Sequence, residues 1–299
     1  MSVDGILLLD KPSGPTTAYC VRAVSRRMGV KAGHAGTLDP MATGLVIALL
    51  GRATKLSPFI SGFDKRYTGR IRLGMQTSTG DSDGEIIDER NVDVDENRLI
   101  EIAGEVRGEL ELEVPIYSAI KLNGKHLYEY ARKGEKISLP SRKVSIKKFE
   151  IVDIDLPFVS FETDVSKGTY IRSLAEHIGK LAGCGACLVE LRRTIIGEHR
   201  IENAVKFDEA LEMADSNTLA DLVIDPESAL SNMPRIALDR SQAVKISHGV
   251  FTAIDIDMLE FGTIFYVCYN EKLIAVLKND DNGKKPYTIE RVFARSNEI

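Results

Sequence analysis

The sequence predicts an α+β fold in which a large N-terminal domain is followed by a small β-rich domain. Strand-like and helix-like periodicities alternate through the first part of the chain, whereas short strand-like segments follow Asn232-Met233-Pro234. A length of 299 residues also suits one large domain and one small one. We therefore assign residues 1–231 to the large domain and residues 232–299 to the small one. The small domain would fold alone only marginally, so we expect it to pack on the large one.

The chain begins with a predicted strand, a turn and a helix. Residues 6–9 form a short apolar run, and two prolines make residues 11–15 a rigid turn. Thr16 or Thr17 can cap a helix that ends at Gly29.

A glycine-rich loop over 32–44 and a buried strand over 45–50 come next. Residues 65–73 then alternate, with Tyr67 and Ile71 on one face and arginines on the other. This alternation predicts a half-buried strand.

The remaining elements follow from the same periodicities. Residues 170–181 predict an amphipathic helix, because Ile171, Leu174 and Ile178 share a face that Ser173 does not. In the large domain we also predict helices at 123–134 and 207–214 and strands at 144–154 and 159–165. In the small domain we predict strands at 235–238, 263–269, 272–277 and 287–293.

Composition and the N-terminus exclude several classes of protein. Hydrophobic residues make up 43% and charged residues 28%, which is typical of a globular protein. The longest apolar run, 45–50, is far shorter than the ~18 residues of a membrane span. The N-terminus has no basic start and carries Asp4, so we expect no signal peptide. Four cysteines do not make a disulfide framework and favour a reducing cytoplasm.

Charge is unevenly distributed along the chain. The net charge is −5, yet residues 121–148 hold nine Lys or Arg against two Glu, whereas residues 81–113 hold thirteen acids against three Arg. Such polarity can steer a polyanion onto one face, although two solvated surface segments would give the same pattern. Charge therefore raises nucleic acid as a ligand without deciding the matter.

The loop G-H-A-G-T-L-D-P-M-A-T-G-L at 33–45 is the strongest candidate for chemistry. Its glycines let the backbone approach a ligand closely, and Asp39-Pro40 places a carboxylate among apolar neighbours. Asp39 is either a nucleophile or base, or only the cap of a turn, as Asp before Pro often is. The loop lacks both nucleotide-binding fingerprints, so it does not predict a phosphate cradle.

Histidines and cysteines do not predict a metal site. His34 could act as a base or a stacking surface, but the five histidines show no metal-ligand spacing. Cys184 and Cys187 form a single C-x-x-C without a second pair, so we predict two core cysteines.

A second notable run is K-G-T-Y-I-R at 167–172. Tyr170 offers an aromatic surface, and Arg172 supplies a cation at the start of a helix. Beside a buried aspartate, that arginine would keep the carboxylate ionised. Taken alone, the run is an ordinary connection between a strand and a helix.

Together these motifs resemble the TruB family of tRNA pseudouridine synthases. The two most specific are G-H-A-G-T-L-D-P-M-A-T-G at 33–44 and K-G-T-Y-I-R-S-L-A-E at 167–176. Further family-like segments occur in family order at 7–17, 65–67, 73–84, 115–134 and 191–194. The residues after 232 resemble a PUA-type RNA-binding domain.

The resemblance implies a pseudouridine synthase-type catalytic domain with a mixed, mostly antiparallel sheet. It implies isomerisation of uridine to pseudouridine at position 55 in the T-loop of tRNA, with no cofactor and no metal. The base must flip out of the folded RNA to be reached. We expect the tRNA T-stem-loop as partner, no membrane, no obligatory protein partner and a monomer.

The resemblance also assigns residues. Asp39 falls on the catalytic aspartate, and it either attacks the nucleotide or abstracts a sugar proton. The matched substrate-binding residues are His34 and Tyr67, which contact flipped nucleotides or stack on the target base, and Tyr170 and Leu191, which line the uracil pocket. The matched supporting residues are Arg172, which pairs with the carboxylate, and Lys11 and Pro12, which support the loop. A basic insertion over about 115–143 would grip the RNA backbone through Lys121, Lys125, Arg132, Lys133 and Arg142.

Departures from the family pattern are few. Val114 replaces the first of two usual prolines, His177 stands where an acid is more frequent, and Glu198-His199 replaces a proline and an aromatic residue. None coincides with the residues named above.

Three other hypotheses stay open at this point. The chain could need a guide RNA, as related archaeal and eukaryotic enzymes do. It could be an RNA chaperone without catalysis, although binding alone needs no carboxylate at Asp39. A small-molecule phosphate enzyme would leave the basic insertion unexplained.

Overall fold

A ten-stranded sheet forms the centre of the computed structural model, which describes residues 3–135, 137–280, 285–294 and 298–299. The described residues form these strands: β1 (Gly5–Lys11), β2 (Ala32–His34), β3 (Thr43–Leu50), β4 (Lys65–Leu73), β5 (Met75–Thr77), β6 (Ile86–Glu89), β7 (Gly108–Glu113), β8 (Lys121–Leu122), β9 (Lys125–His126), β10 (Ser141–Asp155), β11 (Phe158–Val165), β12 (Ala186–Ile196), β13 (His199–Arg200), β14 (Val205–Lys206), β15 (Arg235–Ala237), β16 (Ile264–Tyr269), β17 (Lys272–Asn279) and β18 (Tyr287–Val292). The α-helices are α1 (Thr17–Met28), α2 (Ser57–Ile60), α3 (Glu96–Glu105), α4 (Leu127–Arg132), α5 (Ile171–Leu181), α6 (Phe207–Asp215) and α7 (Arg240–Ser247).

The large sheet is mixed and mostly antiparallel, which confirms the predicted fold class. Its order is β14-β1-β3-β12-β4-β11-β10-β7, with β2 paired to β3 and β13 paired to β12. Only the β1–β14 and β3–β12 pairs are parallel among its described strands. Strands β3, β12 and β4 therefore lie side by side at the centre, where they bring distant sequence motifs together.

Local signals fix the first helix as predicted. The Thr16 side chain accepts a hydrogen bond from the Tyr19 N–H, and Gly29 ends the helix in the left-handed region at φ 64°. The predicted loop over 32–44 is wrong at both ends. Residues 32–34 form β2 on the edge of β3, and β3 already begins at Thr43.

The two central strands were predicted unequally. Strand β4 has the predicted bounds, and Tyr67 and Ile71 are buried on its inner face. Strand β12 is missing from the prediction, because charged residues interrupt its apolar pattern. One of them, Arg193, is nevertheless only 1% exposed.

Other differences lie in and beside the acidic segment. Helix α3 and strand β7 were not predicted, since their acids hide the apolar residues that face the core. Strands β5 and β6 were not predicted either, and they are only three and four residues long. In α5, Ser173 is buried rather than on the polar face, because its Oγ donates to the Glu113 carbonyl at 2.7 Å.

Two predicted elements have different bounds. The predicted helix at 123–134 is shorter, and α4 follows the β8–β9 hairpin. Strand β10 begins earlier than predicted, at Ser141.

The residues after 232 form a separate four-stranded sheet in the order β15-β16-β17-β18. Helix α7 was not predicted, although Asp239 and Gln242 form a capping box at its start. This sheet packs on the large domain through one apolar cluster that joins Ile6 and Leu8 to Val276 and Phe293. No helix in the described ranges is long and apolar enough to cross a membrane.

Gly44 is held where no side chain fits. It has φ 103° and pairs with Arg193 between β3 and β12, and a Cβ there would lie 2.3 Å from the Arg193 carbonyl oxygen. Gly14 has nearly the same φ, 105°, but a Cβ there would meet nothing within 4 Å. Gly44 therefore permits the parallel contact between the two strands.

We expect Gly44→Ala to lower the free energy of unfolding by more than about 2 kcal/mol, because it adds a backbone clash to the strain of a positive φ. Gly14→Ala is the matched control and should lose only the conformational part. Urea unfolding of both variants measures the difference. Equal losses would show that the β3–β12 contact tolerates a methyl group.

Candidate active site

A cavity of about 490 Å³ opens between the central strands and the start of α5, a volume within the range of small-ligand pockets. Five of the predicted site residues line it: Asp39, Tyr67, Tyr170, Arg172 and Leu191. They come from the loop before β3, from β4, from the start of α5 and from β12. The fold thus assembles the two motifs that the sequence analysis singled out.

Asp39 and Arg172 form a two-bond ion pair in this cavity. Arg172 Nε donates to Asp39 Oδ2 at 2.9 Å, and Arg172 Nη2 donates to Asp39 Oδ1 at 3.1 Å. The arginine side chain is only 4% exposed, whereas the aspartate side chain is 33% exposed. Such fork-to-fork pairing fixes the plane of the carboxylate. The pair leaves the aspartate accessible from the cavity.

Arg172 also donates to two backbone carbonyls. Nη1 donates to the Thr79 carbonyl at 2.8 Å, and Nη2 donates to the Tyr117 carbonyl at 3.1 Å. Its Nε also lies 3.6 Å from the buried Asp81 carboxylate. Asp81 was not singled out in the sequence, although it lies within the family-like segment at 73–84. These contacts hold the guanidinium rigidly behind Asp39.

Lys11, at the end of β1, binds the loop that carries Asp39. Its buried ammonium donates to the carbonyls of Pro12, Pro15 and Pro40 at 2.8, 2.8 and 3.1 Å. Burial lowers the pKa of Lys11 below its usual value. One ammonium thus ties the turn after β1 to the proline that follows Asp39. Pro12 contributes through its carbonyl oxygen and is half-buried.

Two further side chains position the same loop. Thr17 Oγ1 accepts from the Leu38 N–H at 2.9 Å and lies 3.2 Å from the Leu38 carbonyl, to which it donates. Arg193 donates to the carbonyls of Leu45, Gly36 and Thr37 at 2.7, 3.2 and 3.5 Å. Arg193 was missed as a site residue, although it stands in the family-like L-R-R-T segment.

Part of the cavity wall is apolar and aromatic. Tyr67 and Leu191 are each 7% exposed, and Tyr170 is half-buried. Tyr117 and Tyr128 of the basic insertion also line the cavity and were not predicted to do so. The insertion therefore closes one side of the cavity besides carrying charge.

His34 is not among the residues that line the cavity. It lies on β2, and its Nδ1 is buried without a hydrogen-bond partner in the part of the chain that the structure describes. Burial, with a smaller contribution from the Arg193 charge, lowers the pKa of His34 below its usual value. The predicted contact of His34 with substrate stays a prediction.

The five basic residues predicted to bind RNA are all exposed: Lys121, Lys125, Arg132, Lys133 and Arg142. Among the described residues, none of the five forms an ion pair. Lys147 and Lys148, by contrast, pair with acids, and Lys136 lies outside the described residues. Arg132 lies over the Tyr128 ring at 5.4 Å. Because Tyr128 lines the cavity, the Arg132 charge lies beside it.

Cys184 and Cys187 are buried and unpaired, as predicted for core cysteines. Burial raises the pKa of the Cys187 thiol to about 11. Neither cysteine lines the cavity.

Comparison with protein families places these motifs in a known group. The N-terminal domain model of the TruB family pseudouridylate synthases matches residues 22–171. The C-terminal domain model of tRNA pseudouridylate synthase B matches residues 172–231. The chain is 42% identical over 248 residues to the tRNA pseudouridine synthase B of Aromatoleum aromaticum, covering 83% of this chain and 80% of that protein. It is 43% identical over 248 residues to that of Burkholderia lata, covering 83% and 77%.

Solved structures show the same fold at low identity. An H/ACA ribonucleoprotein bound to a substrate RNA containing 2′-deoxyuridine matches with a TM-score of 0.75 and 22% identity, covering 98% of this chain and 86% of that chain. An archaeal box H/ACA Nop10–Cbf5 complex matches with a TM-score of 0.74 and 23% identity, covering 99% and 88%. At such identity these likenesses concern the fold alone.

We expect the His34 imidazole to titrate below pH 6.5 in the folded protein, because burial disfavours its charged form. The unfolded chain then binds the proton first, so the free energy of unfolding should fall as the pH drops through about 6.5. Imidazole NMR signals, assigned with His34→Asn, give the midpoint, and the urea-unfolded chain gives the reference. In His34→Asn the free energy of unfolding should fall less steeply at low pH than in the wild-type protein. Some fall should remain, since burial lowers the pKa of His177 and His199 as well. A folded midpoint at or above the unfolded one would contradict the expectation.

Proposed function

The chain belongs to the TruB family of pseudouridylate synthases, and on that premise we propose that it converts uridine 55 in the tRNA T-loop into pseudouridine. The observation that carries the proposal is the Asp39 carboxylate, held by Arg172 in a cavity with an aromatic and apolar wall. The relatives from Aromatoleum and Burkholderia are named tRNA pseudouridine synthases, which supports tRNA as the substrate.

The reaction needs a closed site and a single reactive group. The N1–C1′ bond of the uridine breaks, the uracil turns, and C5 forms a bond to C1′ while its proton leaves and N1 gains one. Asp39 either attacks the nucleotide or removes a sugar proton, and both routes begin with the ionised carboxylate. Arg172 orients that carboxylate through two hydrogen bonds, so it reaches the nucleotide without rearranging.

The target base must leave the RNA stack to reach Asp39. Flipping a nucleotide costs a few kcal/mol, which contacts with the protein offset. Tyr67 and Tyr170 offer ring surfaces in the cavity, and Leu191 offers an apolar one. We assign to these three side chains the task of holding the uracil while it is detached from the sugar.

RNA binding is assigned to the exposed basic residues beside the cavity. Lys121, Lys125, Arg132, Lys133 and Arg142 are exposed and free of acidic partners in the described structure, so they can neutralise phosphates. We further propose that the chain acts as a monomer, without an obligatory protein partner or guide RNA. Four free cysteines support a reducing, cytoplasmic setting.

We expect Asp39→Asn to lower pseudouridine formation by at least about 10³-fold while tRNA binding is retained, because the amide cannot act as nucleophile or base. The measurement is carbodiimide and primer extension on an unmodified tRNA transcript, without added metal, cofactor or guide. One new stop at the T-loop uridine should appear with the wild-type protein only.

The control is Asp164→Asn. Asp164 forms a two-bond pair with Arg66 that resembles the Asp39 pair but lies outside the cavity. It should therefore keep activity. Substantial turnover by Asp39→Asn would refute the assignment of the carboxylate. Tight binding without modification by the wild-type protein would instead favour a chaperone or a guide-dependent enzyme, to be tested by adding guide RNA and partners.

We expect Tyr67→Leu to lower kcat more than tRNA affinity, since ring stacking on the flipped base is worth about 1–3 kcal/mol. Tyr67→Phe keeps the ring and separates stacking from the hydroxyl. Single-turnover rates and filter binding measure the two quantities. If Tyr67→Leu simply unfolds the protein, as judged by circular dichroism, the ring serves core packing.

A further inference from the structure

Lys65 places an ammonium group in the wall of the cavity. It begins β4, two residues before Tyr67 and on the same face of the strand. The residue is 8% exposed and lines the same cavity as Asp39. Nothing in the Asp39–Arg172 pair uses this lysine, and the reaction described above leaves it without a task.

The contacts of Lys65 leave its charge uncompensated. Its Nζ donates to the Ser61 carbonyl at 2.7 Å and to the Phe63 carbonyl. An ammonium has three donors, so one N–H is left over. In the described ranges no carboxylate lies within ion-pair distance, because the neighbouring Asp64 pairs with Lys147 instead. A buried cation without an anion is unfavourable.

The charges around Lys65 increase this imbalance. Arg193, in the same cavity wall, donates to backbone carbonyls rather than to carboxylates. The pKa of Lys65 is lowered to about 8, mainly by burial and then by the Arg193 charge; Asp64 raises it and Lys167 lowers it by smaller amounts. Asp39, across the cavity, is already paired with Arg172. This side of the cavity therefore attracts an anion.

The RNA substrate of the proposed function would bring phosphate groups to this side of the cavity. The uracil ring of the target nucleotide is uncharged, whereas the phosphate on either side of it carries a full negative charge. We infer that Lys65 is a further substrate-binding residue, whose ammonium binds a phosphate that adjoins the target uridine. This inference rests on the proposed function, since it takes a uridine in the cavity as given.

A purely structural role makes a different prediction. Lys65 could serve only to hold the carbonyls of Ser61 and Phe63 after α2, in which case its removal would weaken folding without changing how the protein senses a phosphate. The experiment must therefore read out the phosphate itself.

The experiment uses synthetic T-stem-loop RNAs in which one phosphate, 5′ or 3′ of the target uridine, is a neutral methylphosphonate. With the wild-type protein, one of the two positions should raise KM by about tenfold, since a hydrogen bond to a charged group is lost. With Lys65→Gln the unmodified RNA should already show the higher KM, and the methylphosphonate should add little. Lys180→Gln, whose side chain lines a different cavity, should keep the wild-type discrimination.

The outcomes separate the inference from the proposed function. Equal methylphosphonate effects in wild-type protein and Lys65→Gln would overturn the phosphate contact, as would no effect at either position. If neither methylphosphonate raises the wild-type KM but 4-thiouridine at the target position does, the contact lies on the base and the inference is overturned. If the wild-type protein fails to modify even the unmodified RNA, it is the proposed function that fails.

A second measurement needs no variant, in case Lys65→Gln does not fold. As the pH rises through about 8, the lysine loses its proton, so KM for the unmodified RNA should rise. The sensitive methylphosphonate RNA should show no such rise. A parallel rise with both RNAs would contradict the contact.

Discussion

The ion pair between Arg172 and Asp39 joins parts of the chain that are 133 residues apart and sets the geometry of the whole site. Two N–H donors of Arg172 bind one carboxylate, Asp39. Two more donors bind the backbone carbonyls of Thr79 and Tyr117. The loop before β3, the segment after β5 and the basic insertion are thereby fixed to the start of α5. The orientation of the carboxylate depends on all of them.

Four buried cations lie in this region, and their hydrogen-bond partners decide what each can do. Lys11 and Arg193 bind backbone carbonyls only, so they stiffen the loop around Asp39 without neutralising it. Arg172 binds the carboxylate directly. Lys65 has carbonyl partners for two donors only. Carbonyl partners let a protein bury positive charge near a site that receives a polyanion.

The sequence predicted elements with strong local signals and missed those defined by distant contacts. Strand β4 and helix α1 follow from alternation and from the Thr16 and Gly29 caps. Strand β12 was not predicted because a buried arginine interrupts its apolar pattern. The carbonyls that bind this Arg193 lie about 150 residues earlier, at 36, 37 and 45. The candidate site was predicted through motif resemblance, which supplied Asp39 and Arg172. Asp81 and Lys65 lie in two other family-like segments, 73–84 and 65–67, where only their burial in the structure distinguishes them.

Charge pairing explains how an acidic chain can present a basic face. Its many acids are not spread evenly: Glu150 on β10 and Glu162 on β11 pair with Lys148, and Asp64 pairs with Lys147, just after the insertion. The five exposed basic residues of the insertion named above have no such partners in the described structure. Because screening weakens attraction beyond about 10 Å at moderate salt, the local excess matters to a bound phosphate more than the net charge of −5. Under the proposed function, this local excess would attract the RNA phosphates towards the insertion, and the acidic remainder would repel them elsewhere.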